Sequence, residues 1–320
     1  MTPIPASVSR EDVLAAAERL QGHVHRTPVL TCSALDARAH RRLFFKCENF
    51  QKGGSFKVRG ALNALMALDA EVRERGVVAH SSGNFAQGLA IAAQRLGVKA
   101  TIVMPSNAPA VKRAAVEGYG AQVVQCAPTL TARRQTTAHL ARQTGATIVP
   151  PSDHPDVIAG QGTVALELLD QVADLDAIVA PLGGAGLLGG IALAAPNVII
   201  VGAEPDGADD AWRSKQAGLR LGHLPGAPDT ICDGLRTDLG DHTWPVVRDH
   251  VDHIVRVPDS LTRGALRALM ERAKLVVEPS AAIALAAVTS SAWPLPDAAR
   301  IGVVLSGGNI DLSRIPTLIG

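Results

Sequence analysis

Short apolar runs alternate with longer segments of helical periodicity along most of this chain, and that alternation restricts the fold more than any other feature. Val77–His80 is followed by the helical pattern Asn84–Leu96, Thr101–Met104 by Pro109–Glu117, Gln122–Cys126 by Thr129–Gln143, and Thr147–Val149 by Asp156–Val172. Strands that run the same way need a crossover of about this length, so the pattern predicts α/β architecture with parallel sheets covered on both faces. Val198–Val201 is apolar at every position, as suits a strand buried on both sides. Upstream, Ser9–Gly22 reads as a helix with Ser9 and Asp12 placed as a capping box, Leu43–Cys47 as a strand, and Ser55–Arg75 as one long helix. Downstream, Ala177–Ala180 leads through a glycine-rich turn into a short helix. Helices over Leu261–Lys274 and Pro279–Val288 then precede a strand at Ile301–Leu305. From Trp212 to Pro245 the periodicity fades into Gly, Pro and Asp, which predicts surface loops around a short helix.

Aromatic residues make up only 3% of the chain, with Tyr119 its single tyrosine, so the core must be built from Ala, Val, Leu and Ile. A net charge of +1 with mixed signs gives no reason to expect nucleic acid or a membrane surface as partner. No apolar run approaches the ~18 residues of a membrane-spanning helix, and no secretory signal pattern opens the chain. Cys32, Cys47, Cys126 and Cys232 form no CxxC pair and read as reduced thiols. The expectation is a soluble, cytoplasmic protein.

Two segments carry chemistry. Gly184-Ala185-Gly186-Leu187-Leu188-Gly189 follows an apolar strand and opens a helix, and Glu204 closes the next strand. That fits a dinucleotide fingerprint. Its physical content is narrower: glycines let an anion approach the backbone, and a helix N-terminus supplies N–H groups and a positive dipole end. A dinucleotide, another phosphate group and simple tight packing all remain open. The second segment runs Lys46-Cys47-Glu48-Asn49-Phe50-Gln51-Lys52-Gly53-Gly54-Ser55-Phe56-Lys57-Val58-Arg59-Gly60-Ala61, with Ser55 read as a helix N-cap and Lys57 in the first turn. A lysine there opposes the helix dipole. It is either an exposed, slightly unfavourable charge or an amine whose protonated form is destabilised, as imine-forming lysines require.

This second segment resembles the Schiff-base motif of the fold-type-II pyridoxal-phosphate enzymes, in the serine/threonine dehydratase and serine racemase branch. Other stretches are similar to that family in the same order: Ser81-Ser82-Gly83-Asn84-Phe85-Ala86-Gln87, Pro181-Leu182-Gly183-Gly184-Ala185-Gly186-Leu187, Glu204-Pro205 through Ala208-Asp209-Asp210, Val277-Glu278-Pro279-Ser280, and Leu305-Ser306-Gly307-Gly308-Asn309. The resemblance runs from about Thr27 to Asp311. It implies a tryptophan synthase β-like fold with two parallel-sheet lobes, the smaller at 77–150 and the larger at 1–76 plus 151–320, with pyridoxal 5'-phosphate between them.

The same resemblance assigns roles. Lys57 would hold the cofactor and act as base at the substrate α-carbon. Phe56, Asn84, Glu278, Ser306 and the backbone of Gly183, Gly184, Ala185, Gly186 and Leu187 would surround the cofactor, with Asn84 on its ring hydroxyl and Ser306 facing the pyridine nitrogen. Ser82 would handle a proton on the face opposite Lys57, and Ser81, Ser82, Asn84, Phe85 and Arg133 would meet the substrate. Glu204, Asp210 and the carbonyl of Ala208 would bind Mg²⁺ or Ca²⁺.

The sequence departs from the family at Phe85, usually histidine; at Ala185, usually glycine; and at Ser152, often asparagine. Phe85 predicts a substrate pocket that favours apolar or aromatic β-substituents. The resemblance implies a dehydratase (ammonia-lyase) acting on a β-hydroxy-α-amino acid such as phenylserine, threonine or serine, working as a homodimer without a C-terminal regulatory domain. An amino-acid racemase is the alternative. The glycine loop on its own keeps an NAD-dependent dehydrogenase open as well.

Overall fold

A computed structural model describes residues 8–226 and 228–320. Among the described residues, ten strands form two sheets: β1 Val29–Leu30, β2 Arg42–Cys47, β3 Val77–His80, β4 Ala100–Pro105, β5 Gln122–Cys126, β6 Thr147–Ile148, β7 Ala177–Pro181, β8 Ile199–Pro205, β9 His253–Val257 and β10 Arg300–Leu305. The larger sheet has the order β1-β2-β10-β7-β8-β9 and the smaller β5-β4-β3-β6. All neighbours run parallel except the antiparallel edge pair of β1 with β2. Two apolar clusters, one containing Val179, Val201 and Val303 and the other Ile178, Ile200 and Val304, draw on alternate residues of the same strands. Successive strand side chains point to opposite faces, so the larger sheet is buried on both.

The smaller sheet lies wholly within 77–150, but its core does not. Leu20, Val58, Ala61, Leu62, Leu65 and Val157 pack into it beside Val77, Ala79 and Ile102. The helix Lys57–Ala67 is therefore shared. It packs on Asn84–Leu96 from one side and on Pro155–Gln171 from the other. Close backbone approach makes the second contact possible, since a β-carbon at Gly60 would lie 2.8 Å from the carbonyl oxygen of Val157.

Beneath that helix lies a buried ionic cluster. The Arg59 guanidinium, fully buried, donates to both Glu48 oxygens (2.8 and 2.9 Å) and both Glu167 oxygens (2.7 and 2.9 Å). Lys46 Nζ donates to Glu167 (2.7 Å), to the Thr27 carbonyl (2.9 Å) and to Gln171 (2.9 Å). Burial works against the Arg59 charge, but the two carboxylates outweigh it and hold its pKa above the ordinary value.

Several expectations change. The helix expected over Ser55–Arg75 is two helices, Lys57–Ala67 and Ala70–Glu74, because Leu68 turns extended. Ser55 is no N-cap: its backbone is drawn into a bridge with Gly307. The Leu261–Lys274 segment is an α-helix Asp259–Ala268 running into a π-turn Leu269–Ala273, stopped by left-handed Lys274. The capping box at Ser9 and Asp12 is present. The short elements β1, Ser33–Ala39, Thr243–His250 and β9 carried too little periodicity to be read. No helix among the described residues is long and apolar enough to cross a membrane.

Replacing Arg59 by Met should destabilise the protein by about 3–5 kcal/mol, because Glu48 and Glu167 would be left buried without their counter-charge. Denaturant unfolding measures it, and a loss under about 1 kcal/mol would assign the cluster no structural weight.

Candidate active site

The ends of β3, β7 and β10 and the first turn of Lys57–Ala67 come together between the two sheets. Ser55 pairs with Gly307, Phe56 N donates to the Ser306 carbonyl (3.1 Å), and Gly308 N donates to the Gly54 carbonyl (2.9 Å). The loop before Lys57 is thus stitched to the loop after β10. Lys57 Nζ donates to the Pro151 carbonyl at 2.7 Å and lies 4.8 Å from the ring centre of Phe56 and 5.9 Å from that of Phe85. Among the described residues, no carboxylate bonds to it. Burial pulls its pKa down to about 8, against the opposing pull of Glu278. Among the two readings open for Lys57, this favours the amine whose charged form is destabilised.

Glu278 is buried beside the same loop, and a β-carbon at Gly307 would come within 2.6 Å of its Oε1. Burial, and next the charge of Asp233, push its carboxyl up to about 8, while Asn84, Lys112 and Lys57 act the other way. Asn84, first residue of Asn84–Leu96, donates Nδ2 to Glu278 Oε1 (2.7 Å) and accepts at Oδ1 from Asn309 Nδ2 (2.9 Å). Asn309 also donates to the Gly53 carbonyl (2.7 Å). This side-chain chain joins the small-sheet helix to both loops. Asn309 stood in a recognised motif, but the sequence offered no sign of this linking position.

The Gly183–Leu187 turn between β7 and Gly186–Ala194 is buried throughout. β-Carbons at Gly183 and Gly186 would lie 2.8 Å from the Leu235 α-carbon and 3.0 Å from the Ser152 backbone, so those two positions of the cradle require glycine. Its walls carry the free N–H groups of a helix start, the donor set a phosphate needs. Ala185 sits in the left-handed region (φ 60°), which explains why glycine is usual at this position and makes Ala185 a strained exception. Ser152 borders this turn.

The remaining candidates are more dispersed. Ser81 and Ser82 lie half-buried between β3 and Asn84–Leu96. Ser81 Oγ accepts the local turn bond from Gly83 N (3.4 Å). Phe85 is only 2% exposed and packs in the small-sheet core with Val58 and Leu62. Its place on the helix directs the ring inward, with one side toward Lys57. Arg133, in Leu130–Thr144, has a buried Nε without a partner. Burial, then Arg133 and Arg134, lower the pKa of His80, the residue before Ser81, which sequence reasoning missed.

Glu204 accepts from the N–H groups of Ala211 and Trp212 (2.8 Å each), while Asp210 accepts from Leu239 N (3.0 Å) and lies 3.3 Å from His223 Nδ1. Ala208 is buried between them in sequence. Burial, then the Asp210 charge, drive the Glu204 pKa well above its usual range. Among the described residues, no three His, Cys, Asp or Glu side chains are grouped to hold a metal. Any cation here must rely on the two carboxylates and a carbonyl.

Residues 20–307 match the family model described as pyridoxal-phosphate dependent enzyme. The chain is 44% identical over 319 residues to a serine racemase of Dictyostelium discoideum, covering 98% of each chain. It is 46% identical over 316 residues to an L-threo-3-hydroxyaspartate ammonia-lyase of a Pseudomonas species, covering 97% of this chain and 98% of that one. The structure of maize serine racemase superposes with a TM-score of 0.93 at 44% identity, covering 98% and 97% of the two chains. These matches remove the NAD-dependent dehydrogenase. The chain belongs to the pyridoxal-phosphate dependent enzyme family.

Proposed function

We propose that this enzyme eliminates water from a β-hydroxy-α-amino acid, giving a 2-oxo acid and ammonia. The observation that carries the reading is Lys57: a shielded amine with a lowered pKa, set between two aromatic rings within reach of a glycine cradle. Relatives named for hydroxyaspartate ammonia-lyase and β-hydroxyaspartate dehydratase activity support the reaction class. Pyridoxal phosphate, when bound, supplies an aldehyde for the substrate amine and a conjugated ring that accepts the electron pair of the Cα–H bond.

In this reading Phe56, Asn84, Glu278 and Ser306 surround the ring, and the Gly183–Leu187 backbone holds the phosphate. A hydroxyl at Ser306, in place of a carboxylate, favours a neutral pyridine and prompt loss of the β-hydroxyl. Lys57 takes the Cα proton. The N–H groups at Ser81, Ser82 and Asn84 hold the substrate carboxylate, and the unpartnered Nε of Arg133 offers a further donor for an acidic group. Glu204, Asp210 and the Ala208 carbonyl would hold a Mg²⁺ or Ca²⁺ that braces the turn after β8. A homodimer belongs to the same reading. Phe50 and Val276 expose 48% and 50% of their surface, and Asn49 Nδ2 donates to the Val276 carbonyl between them (3.2 Å).

A second reading, amino-acid racemisation, is favoured by the serine racemases among the relatives and by Ser82, which lies free of the local turn bond that Ser81 makes.

On threonine, serine, 3-hydroxyaspartate and phenylserine, wild-type enzyme should release 2-oxo acid from at least one, and Lys57→Ala should lose both turnover and the visible absorbance of bound cofactor. Turnover by Lys57→Ala without added amine would remove Lys57 from the reaction.

Ser82→Ala should lower racemisation at least tenfold more than elimination, since only racemisation needs a proton delivered opposite Lys57. Equal losses in the two rates would reduce Ser82 to a loop residue.

Cofactor uptake by apoenzyme should quicken as pH rises through about 8, because the nucleophile is the deprotonated Lys57 amine. The Glu278 carboxylate raises the Lys57 pKa, so Glu278→Gln should move the midpoint to lower pH. A midpoint that stays put or moves up contradicts this electrostatic coupling.

Chelation with EDTA, or Asp210→Ala, should lower the melting temperature by several degrees, and Mg²⁺ or Ca²⁺ should restore it only for the native sequence. Melting curves indifferent to both treatments would remove the cation.

A further inference from the structure

The cleft is also bridged by a charged pair that the proposed chemistry does not use. Lys112 lies in the helix Ala110–Gly118, which packs on β5 and on Asn84–Leu96, and so belongs to the small-sheet side. Its Nζ is 3.2 Å from Asp233 Oδ2. Asp233 opens the short turn Asp233–Leu235 on the opposite side of the cleft.

That turn is fixed from behind at two places. Gly234 N donates to Ser280 Oγ at 3.0 Å, two residues beyond Glu278. Leu235 presses on the glycine cradle so closely that a β-carbon at Gly183 would lie 2.8 Å from the Leu235 α-carbon. Whatever holds Asp233 therefore holds both the cradle and the Glu278 segment against the small-sheet side. Asp233 and Lys112 also act on the Glu278 carboxyl with opposite sign, which places the pair within electrostatic range of the site.

The two side chains are 30% and 43% exposed. An ion pair this wet is weak and is screened by salt, so it can form and part without a large barrier. A buried pair such as Arg59 with Glu48 cannot. The other cross-cleft links described here, Asn84 with Glu278 and with Asn309, are neutral-donor hydrogen bonds deep in the site. Lys112 and Asp233 stand at its rim.

We propose that Lys112 and Asp233 form a clasp that holds the cleft closed over the bound amino acid, and that both are positioning residues for the reaction. This rests on the cleft being the amino-acid site. It adds that closure is set by an electrostatic contact remote from Lys57.

The test uses holoenzyme in four forms: wild type, Lys112→Gln, Asp233→Asn, and the exchanged pair Lys112→Asp with Asp233→Lys. Each is titrated with L-serine, L-threonine and 3-hydroxyaspartate, and the visible spectrum of bound cofactor reports amino-acid binding whether or not turnover follows. Titrations are run at low and at high sodium chloride, with melting curves as a control on folding. In wild type, salt should weaken binding. Each single substitution should weaken it about two- to fivefold at low salt and remove most of the salt dependence, in keeping with a surface pair. The exchanged pair should recover affinity and salt dependence together. Single variants that bind as wild type does, with the same response to salt, would overturn the clasp. So would an exchanged pair no better than the singles, since a loss through side-chain shape alone is not repaired by swapping charges. A wild-type spectrum that none of the amino acids shifts would instead sink the amino-acid site, and the clasp with it.

Discussion

Arg59 is carried on the same helical turn as Lys57, and its guanidinium lies in the protein interior with both oxygens of Glu48 and both of Glu167 around it. Lys46 supplies the second cation, so two positive and two negative groups balance. An unpaired charge at that depth would cost several kcal/mol. The helix therefore cannot rotate or slide without breaking the set. Glu48 follows β2, Glu167 belongs to Pro155–Gln171, and Arg59 belongs to the helix shared by both cores. One cluster thus fixes the strand, the two helices and, two residues away, the direction of Lys57. The bidentate fork of arginine suits this task because its planar geometry fixes direction as well as distance.

Above that base the site lowers the cost of uncharged forms. Lys57 and Glu278 are both pushed toward neutrality, each to about 8, by burial. Aromatic rings and a peptide carbonyl surround the lysine nitrogen where a carboxylate would have stabilised its charge. The proposed phosphate end would work by the opposite means: a glycine turn at a helix start, with no cation bonded to it among the contacts described. The two ends ask different things of the polypeptide. A nucleophilic amine requires desolvation, and a phosphate requires fixed dipoles.

Much of this was legible in the residues. The alternation of strand and helix patterns gave the parallel sheets, because each crossover leaves its period in the sequence. The glycines of the cradle were visible too, though not their ligand: Gly184 to Gly189 satisfied a dinucleotide pattern equally well until the lysine segment was weighed. What stayed hidden depends on tertiary contact. Ser55 looked like a helix cap because serine after glycine commonly is one, yet a strand partner from the far end of the chain claims its backbone. Phe85 gave no sign in sequence that its ring also packs into the small-sheet core while facing Lys57. Lys46, Glu48 and Glu167 are ordinary charged residues in sequence, and only folding shows that they form one balanced group. Ala185 was marked as a departure, and its left-handed backbone supplies the reason.

Every role proposed for the site depends on Lys57 being the residue that carries the cofactor. Reducing the purified holoenzyme with borohydride fixes the linkage, and peptide mass spectrometry then locates it. The predicted result is a single phosphopyridoxyl adduct on the peptide containing Lys57, with Lys46 and Lys52 unmodified. An adduct on another lysine, or none in protein that shows the visible absorbance of bound cofactor, would contradict the account at its centre.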